Sequence, residues 1–284
     1  MYIVHHTDTV ETGVSHDLHL RKRSYLSCYD AKYKEHQCTR FANFSVARIR
    51  AGENVTPHSH KDMHEFFLVQ RGTLDLKING GEMGVYTLHR HDLIHIAPGE
   101  LHELSNPKPQ KDSYVKWGEE GYTETMTSPP SDNVPMFDYE DDDLAVYYFG
   151  FVEEELGGST GQVYSSRELK NSTGIEPQTP RLKSIRVIEL DGAEHCMSSM
   201  GIANSMNLRE MHNYLPGDGT TDYCVGVVLS GKGEIVCNED GNERRDFIVP
   251  GSLFACSLSD ACDAHIQTTE KHASLSVLAV VCRR

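Results

Sequence analysis

The sequence predicts an all-β chain folded as two barrels, and three observations predict it. The first half is built from short β-type runs separated by Gly, Asn and Pro turns. Helical periodicity is scarce throughout. The β pattern then starts again near residue 184, where Leu229-Ser-Gly231-Lys-Gly233-Glu-Ile235 is comparable to Val69-Gln-Arg-Gly72-Thr-Leu-Asp-Leu76.

In chain order, the first half offers strands over Phe41–Ile49, 66–69, Leu74–Ile78 and Leu93–Ile96, each rich in β-branched, aromatic or aliphatic residues and closed by turn residues. Between 106 and 144 the composition shifts to Pro, Lys, Gly, Ser and Asp, including Ser128-Pro129-Pro130 and an acidic run over 138–143. A segment this long reads as a surface excursion, and 107–143 is expected to cover the mouth of the first barrel. Strand sequence resumes at 144–151, a closing strand. A second loose region over 157–180, with Gly157-Gly158-Ser159-Thr160-Gly161, sets the domain boundary. The expected division is a first barrel over 1–156, a linker over 157–183 and a second barrel over 184–284. Strands in the second barrel are expected over 184–190, 224–229, 233–237, 246–249 and Ser274–Cys282.

Length and composition narrow the function. A chain of 284 residues with 38% apolar content can bury two ordinary cores. No run of 18 apolar residues occurs, and the start Met-Tyr-Ile-Val-His-His lacks a basic-then-apolar layout, so a cytoplasmic protein without a membrane partner is expected. The eight cysteines show no CxxC pair and read as free thiols. A net charge of −15, from 42 acidic and 27 basic residues, argues against a nucleic-acid partner; Arg21-Lys22-Arg23 reads as a solvated patch. The expected partner is a small-molecule substrate, together with a second copy of the chain that covers open sheet edges.

The chemistry concentrates at residues 52–72. Alternation puts His58 and His60 on one face of a strand, and Glu65 arrives from the next strand. Two imidazoles and a carboxylate converging in a dry interior make a transition-metal site. His64 and Glu65 point to opposite faces; Glu65 is taken as the ligand and His64 as an outward or flanking residue.

The spacing Gly52-x5-His58-x-His60-x4-Glu65-x6-Gly72 resembles the first motif of the cupin superfamily. Residues 91–106 follow its second motif, Gly-x5-Pro-x-Gly-x2-His-x3-Asn, through Gly99, His102 and Asn106, with His91 in place of the Gly and Ala97 in place of the Pro. The resemblance implies jelly-roll barrels, a two-barrel (bicupin) chain, and metal ligands His58, His60, Glu65 and His102. At the corresponding positions of the second barrel, Gly217 and Gly219 replace the imidazoles and Cys224 replaces Glu65. That barrel is expected to be filled by core, the alternative being a different metal site built from His212, Cys224, Cys262 and His265.

Three imidazoles and one carboxylate leave a divalent ion with open positions for a substrate or dioxygen. Iron or manganese is the first expectation, with nickel, copper and zinc as alternatives. Arg48 and Arg50 are the candidate substrate-binding residues, since an Arg inside the barrel would grip a carboxylate; Lys77 and Arg90 are read beside them. Tyr148 and His95 are the candidate catalytic residues. Of the adjacent Tyr147 and Tyr148, one faces inward, and His95 is expected to point inward as an acid–base group. His91 and His89 read as turn residues, with His91 either avoiding positive φ or strained. Similar bicupins include dioxygenases and decarboxylases, so a dioxygenase-type oxidoreductase is the leading expectation. The alternatives are a non-redox isomerase, lyase or decarboxylase, and a non-catalytic binding or regulatory protein.

Overall fold

The computed structural model describes residues 2–4, 10–15, 20–27, 41–81, 84–107, 143–152, 161–170, 175, 182, 184–191, 205–207, 223–239, 242–257, 263–269 and 274–282, with the backbone alone at 183 and at several strand ends. The expected cover over 107–143 lies almost wholly outside them. In chain order the strands are β1 (Tyr2–Val4), β2 (Val10–Ser15), β3 (Leu20–Ser27), β4 (Phe41–Ile49), β5 (Asn54–His58), β6 (Met63–Arg71), β7 (Leu74–Ile78), β8 (Val85–Leu88), β9 (Leu93–Ile96), β10 (His102–Ser105), β11 (Leu144–Val152) and β12 (Gln162–Tyr164). A one-turn helix, α1 (Ser166–Leu169), leads to β13 (Leu182–Asp191), β14 (Ser205–Asn207), β15 (Tyr223–Gly231), β16 (Gly233–Glu239), β17 (Asn242–Ile248), β18 (Leu253–Ser257), β19 (Asp263–Thr268) and β20 (Ser274–Cys282).

These strands form four sheets in two sandwiches. The N-terminal barrel pairs a seven-stranded sheet, β12-β9-β6-β11-β4-β3-β2, with the four-stranded sheet β5-β10-β7-β8. The C-terminal barrel pairs β1-β18-β15-β20-β13 with β14-β19-β16-β17. The chain is therefore all-β in two jelly-roll barrels, as the run pattern predicts.

The central strands of the two larger sheets are buried on both faces. Val69, Val146 and Tyr148 point into the N-terminal barrel. Their neighbours Leu68, Tyr147 and Phe149 belong instead to a cluster shared with Val225, Val227, Leu278 and Val280 of the C-terminal barrel. Cys224, Val228, Val277 and Ala279 fill the second interior. Burial on both sides explains why β6, β11, β15 and β20 read as nearly continuous apolar runs rather than alternating ones.

The repeat extends to detail. Gly72 and Gly231 both hold φ +81, and a Cβ on either would press on the backbone at the start of the neighbouring strand, at Leu144 and at Ser274–Leu275. Each larger sheet also gains a short outer strand in the same register. Val163 of β12 lies opposite Ile94, and Ile3 of β1 lies opposite Phe254. Two stretches thus depart from the simple segmentation. Residues 2–4 extend the C-terminal sheet, and 162–169, inside the expected linker, carry a strand of the N-terminal sheet followed by α1. That helix is closed by a capping box between Ser165 and Glu168, and the amide of Ser166 donates to Asp92 Oδ1 at 3.0 Å.

Candidate metal centre

The site lies between the two sheets of the N-terminal barrel. His58 at the end of β5 and His102 at the start of β10 face each other directly across the strand pair, and their ring centroids are 4.3 Å apart. His60 follows two residues after His58, and Glu65 enters from β6 on the opposing sheet. One donor atom from each of His58, His60, Glu65 and His102 lies within 4.8 Å of the others. The structure thus brings together the four residues that the motifs single out.

Local hydrogen bonds orient this set. Nδ1 of His58 lies 2.9 Å from the carbonyl of Thr56, and Nδ1 of His102 lies 3.0 Å from the carbonyl of Glu100. A carbonyl can only accept, so each Nδ1 carries the proton and each Nε2 presents a lone pair. Glu65 Oε1 sits 3.3 Å from His60 Nε2, and Glu65 Oε2 sits 3.1 Å from His102 Nε2. The second pair is close but not in hydrogen-bonding geometry. Both of its atoms are buried with no hydrogen-bond partner among the described residues. Two such atoms beside two more imidazoles are costly unless something coordinates them, and the donor set suits a divalent transition ion.

The electrostatics agree. Burial pushes the Glu65 carboxyl up, but His102 and His60, whenever those rings carry a proton toward it, and the hydroxyl of Tyr148 outweigh burial and hold the group below its ordinary range. The site is closed at the Glu65 and His102 end and open at the other, where the His60 side chain is 35% exposed. At the far end of β10, Asn106, the last residue of the second motif, ties the strand to β4 by donating from Nδ2 to the carbonyl of Ile49 at 3.0 Å.

Tyr148 faces the cluster. Its hydroxyl donates to Glu65 Oε1 at 2.6 Å, and its ring stacks on Phe67 with centroids 4.9 Å apart. Tyr147 points away, into the core shared with the other barrel.

His95, Arg48 and Arg50 require correction. His95 does share a face with Leu93, but that face looks toward the C-terminal barrel. There it ends a ladder of rings, Phe44, Phe149, Phe66 and His95, whose successive centroids are 5.2, 5.1 and 4.5 Å apart and nearly parallel. Its Nε2 lies 2.8 Å from Nδ1 of His64, which is also buried. His64 is therefore outward with respect to the barrel yet shielded from water. Arg48 lies on the same outer face of β4 as Phe44 and Val46, ion-paired with the buried Asp143. Arg50 is exposed beyond the end of β4. Neither arginine reaches the cluster. Lys77 pairs with Glu103 at 3.3 Å at the surface, and Arg90 is exposed.

Among the described residues, those that fill the C-terminal interior around Cys224 are apolar. Cys224 occupies the place of Glu65 and packs in the core; burial pushes its thiol up to about 12, against the opposing effects of Arg186 and the Val280 amide. Gly226, the counterpart of Phe67, leaves the space that the Phe254 ring fills. His265 alternates outward from the buried Ala264 and Ile266. His212 and Cys262 lie outside the described residues.

Sequence reasoning missed the carbonyls of Thr56 and Glu100, because backbone acceptors carry no residue signature. It also missed the Glu100 carboxylate. That group accepts from the Ala97 amide at 2.8 Å and from the Gly161 amide at 3.0 Å, and an acidic residue beside a Gly turn is an ordinary surface feature in sequence.

Comparison with known proteins agrees with this architecture. Residues 45–114, which begin in β4 of the N-terminal barrel, match the cupin domain family. No curated protein matches the chain by sequence. Among solved structures, the bacterial pirin YhhW from Escherichia coli in complex with nickel(II) is 10% identical, with a TM-score of 0.58 over 99% of this chain and 98% of its own. A putative glyoxylate-induced protein from Pseudomonas aeruginosa is 9% identical, with a TM-score of 0.58 over 98% and 87% of the two chains. Vicilin from hazelnut, Corylus avellana, is 9% identical, with a TM-score of 0.52 over 99% and 85%. At these identities the likeness is one of fold, the cupin fold in two barrels. Among the described residues, no helix is long and apolar enough to cross a membrane.

Proposed function

We propose that this chain is a metal-dependent cupin enzyme that acts on a small polar molecule in its N-terminal barrel, with dioxygenase-type oxidoreduction as the reaction class. The observation that carries the reading is the pair of buried atoms Glu65 Oε2 and His102 Nε2, which lack hydrogen-bond partners among the described residues and sit beside two further imidazoles. The pirin of the same fold is in complex with nickel(II), which supports a transition ion in a chain of this fold.

A bound divalent ion would supply Lewis acidity and, as iron or manganese, redox capacity toward dioxygen. The protein's own contribution is orientation and exclusion of water. Thr56 and Glu100 fix the tautomers of His58 and His102, Glu65 is held ionised, and Phe67 with Tyr148 walls the closed end. Small polar substrates enter past His60. Tyr148 favours one second reading, a non-redox isomerase, lyase or decarboxylase, because its phenolic proton sits at the donor set and suits proton transfer.

Metal analysis of protein purified without chelators tests the reading. Close to one ion per chain is expected, lost in the His58→Ala/His60→Ala double variant, since an incomplete shell does not retain it. Iron with substrate-dependent oxygen uptake supports the oxygenase; zinc or nickel without uptake supports the second reading. Full occupancy in the double variant sinks both.

A further inference from the structure

We propose that Glu100 is a positioning residue for the metal centre, and that through Gly161 it ties the ligand His102 to the segment that joins the two barrels. The inference rests on the metal reading of the His58, His60, Glu65 and His102 cluster.

Glu100 works through two parts of one residue. Its carbonyl accepts from Nδ1 of His102 at 3.0 Å, which leaves the Nε2 lone pair facing the other donors. Its carboxylate, meanwhile, reaches back to the Ala97 amide at 2.8 Å and across to the Gly161 amide at 3.0 Å. The first of these contacts closes the turn between β9 and β10, and the second binds that turn to the chain just before β12. The turn serves another ligand as well, because the Gly99 amide donates to the carbonyl of His60 at 2.7 Å. One carboxylate thus fixes a four-residue turn whose backbone holds two of the four donors.

Gly161 is shaped for this contact. A Cβ there would collide with the Glu100 carboxylate and lie 2.7 Å from the carbonyl of His95. The segment that follows is anchored elsewhere: β12 pairs with β9, Leu169 is fully buried in the core shared by the barrels, and Ile175 bridges to Ile185 of β13. Any shift of that segment reaches the carbonyl that sets the His102 tautomer. Outright removal of a ligand's outer partner typically changes metal affinity by about 10–100-fold; loss of the carboxylate leaves the carbonyl in the chain and frees only its placement, so a smaller effect follows.

The test uses the full chain stripped of metal and titrated with cobalt(II), read by affinity and by the visible ligand-field spectrum. Glu100→Ala is expected to weaken cobalt binding by up to about 10-fold and to alter the spectrum, while Glu100→Gln, which keeps one acceptor oxygen, recovers part of both. Gly161→Ala, which leaves Glu100 in place and displaces its carboxylate, should change the spectrum in the same direction. It also keeps the test available if Glu100→Ala does not fold. Cobalt affinity and spectrum equal to wild type in the folded variants would overturn the positioning role alone. Wild-type protein that takes up no cobalt would overturn the metal reading and this inference with it.

Discussion

Tyr148 and Glu65, 83 residues apart in sequence, meet through a 2.6 Å hydrogen bond inside the N-terminal barrel. The length is that of a hydroxyl donating to an ionised carboxylate. It is made at Oε1, the oxygen that His60 also approaches, and leaves Oε2 toward His102. The bond therefore sets which oxygen is available to the deepest imidazole. It also keeps a proton at the edge of the cluster.

Tyr148→Phe should keep the fold and weaken the site. The ring would still stack on Phe67, so the core loses little. Glu65 would lose one of the groups holding it ionised and one restraint on its rotamer. The expected result is roughly 10-fold weaker metal binding, with urea denaturation of the metal-free protein near wild type. Metal affinity unchanged by the substitution would show that the hydroxyl neither orients nor charges Glu65.

Buried histidines outside the cluster should make stability fall on acidification. Burial lowers His64 to about 4; burial, then the neighbouring His64, lowers His95 to about 3. Burial, with Arg90 and Lys170, lowers His91 to about 4 against the opposing pull of Glu189 and Asp92. The unfolded chain takes up protons at these positions near pH 6.5, while the fold resists them to lower pH. Stability is thus fully present above about 6.5 and is lost as pH falls toward 4, by up to about 1.4 kcal/mol per pH unit for each group. His95→Phe preserves the ring stacked on Phe66 and should flatten the dependence between pH 7 and 5. An identical slope in the variant would mean that His95 titrates normally in the fold.

What could be read from sequence divides along physical lines. Alternation over β5 and β6 separated Glu65 from His64, because the motif fixes which face is interior. It failed at His95 because β9 is buried on both sides: Ile94 and Ile96 face one core, Leu93 and His95 the other. Period two gives the partners of a residue but not which of two dry faces it enters. Arg48 misled for the same reason, since its outer face is closed by the second barrel and by Asp143 rather than by solvent. The pairing of residues 2–4 with β18 spans most of the chain, and no local pattern announces a contact at that distance.

The last prediction concerns His91, where the second motif departs from Gly. The residue holds φ 69, a left-handed conformation that disfavours any side chain with a Cβ. Its counterpart in the other barrel is Gly251, at φ 83. The two turns share their bonds: the His91 amide donates to Val69 and the Gly251 amide to Val228, while the following residue bonds back to His89 in one turn and to Val249 in the other. The backbone therefore needs this conformation whatever residue stands there. His91 adds a further cost, because its Nε2 is buried with no hydrogen-bond partner among the described residues. His91→Gly removes the backbone strain and the orphaned nitrogen together, at the expense of greater freedom in the unfolded chain. A net gain of about 1 kcal/mol is expected. His91→Ala, which keeps the Cβ, should gain less than Gly. Urea midpoints for the three proteins decide it: a Gly variant less stable than wild type would show that packing of the imidazole against the chain near Lys170 outweighs the strained turn.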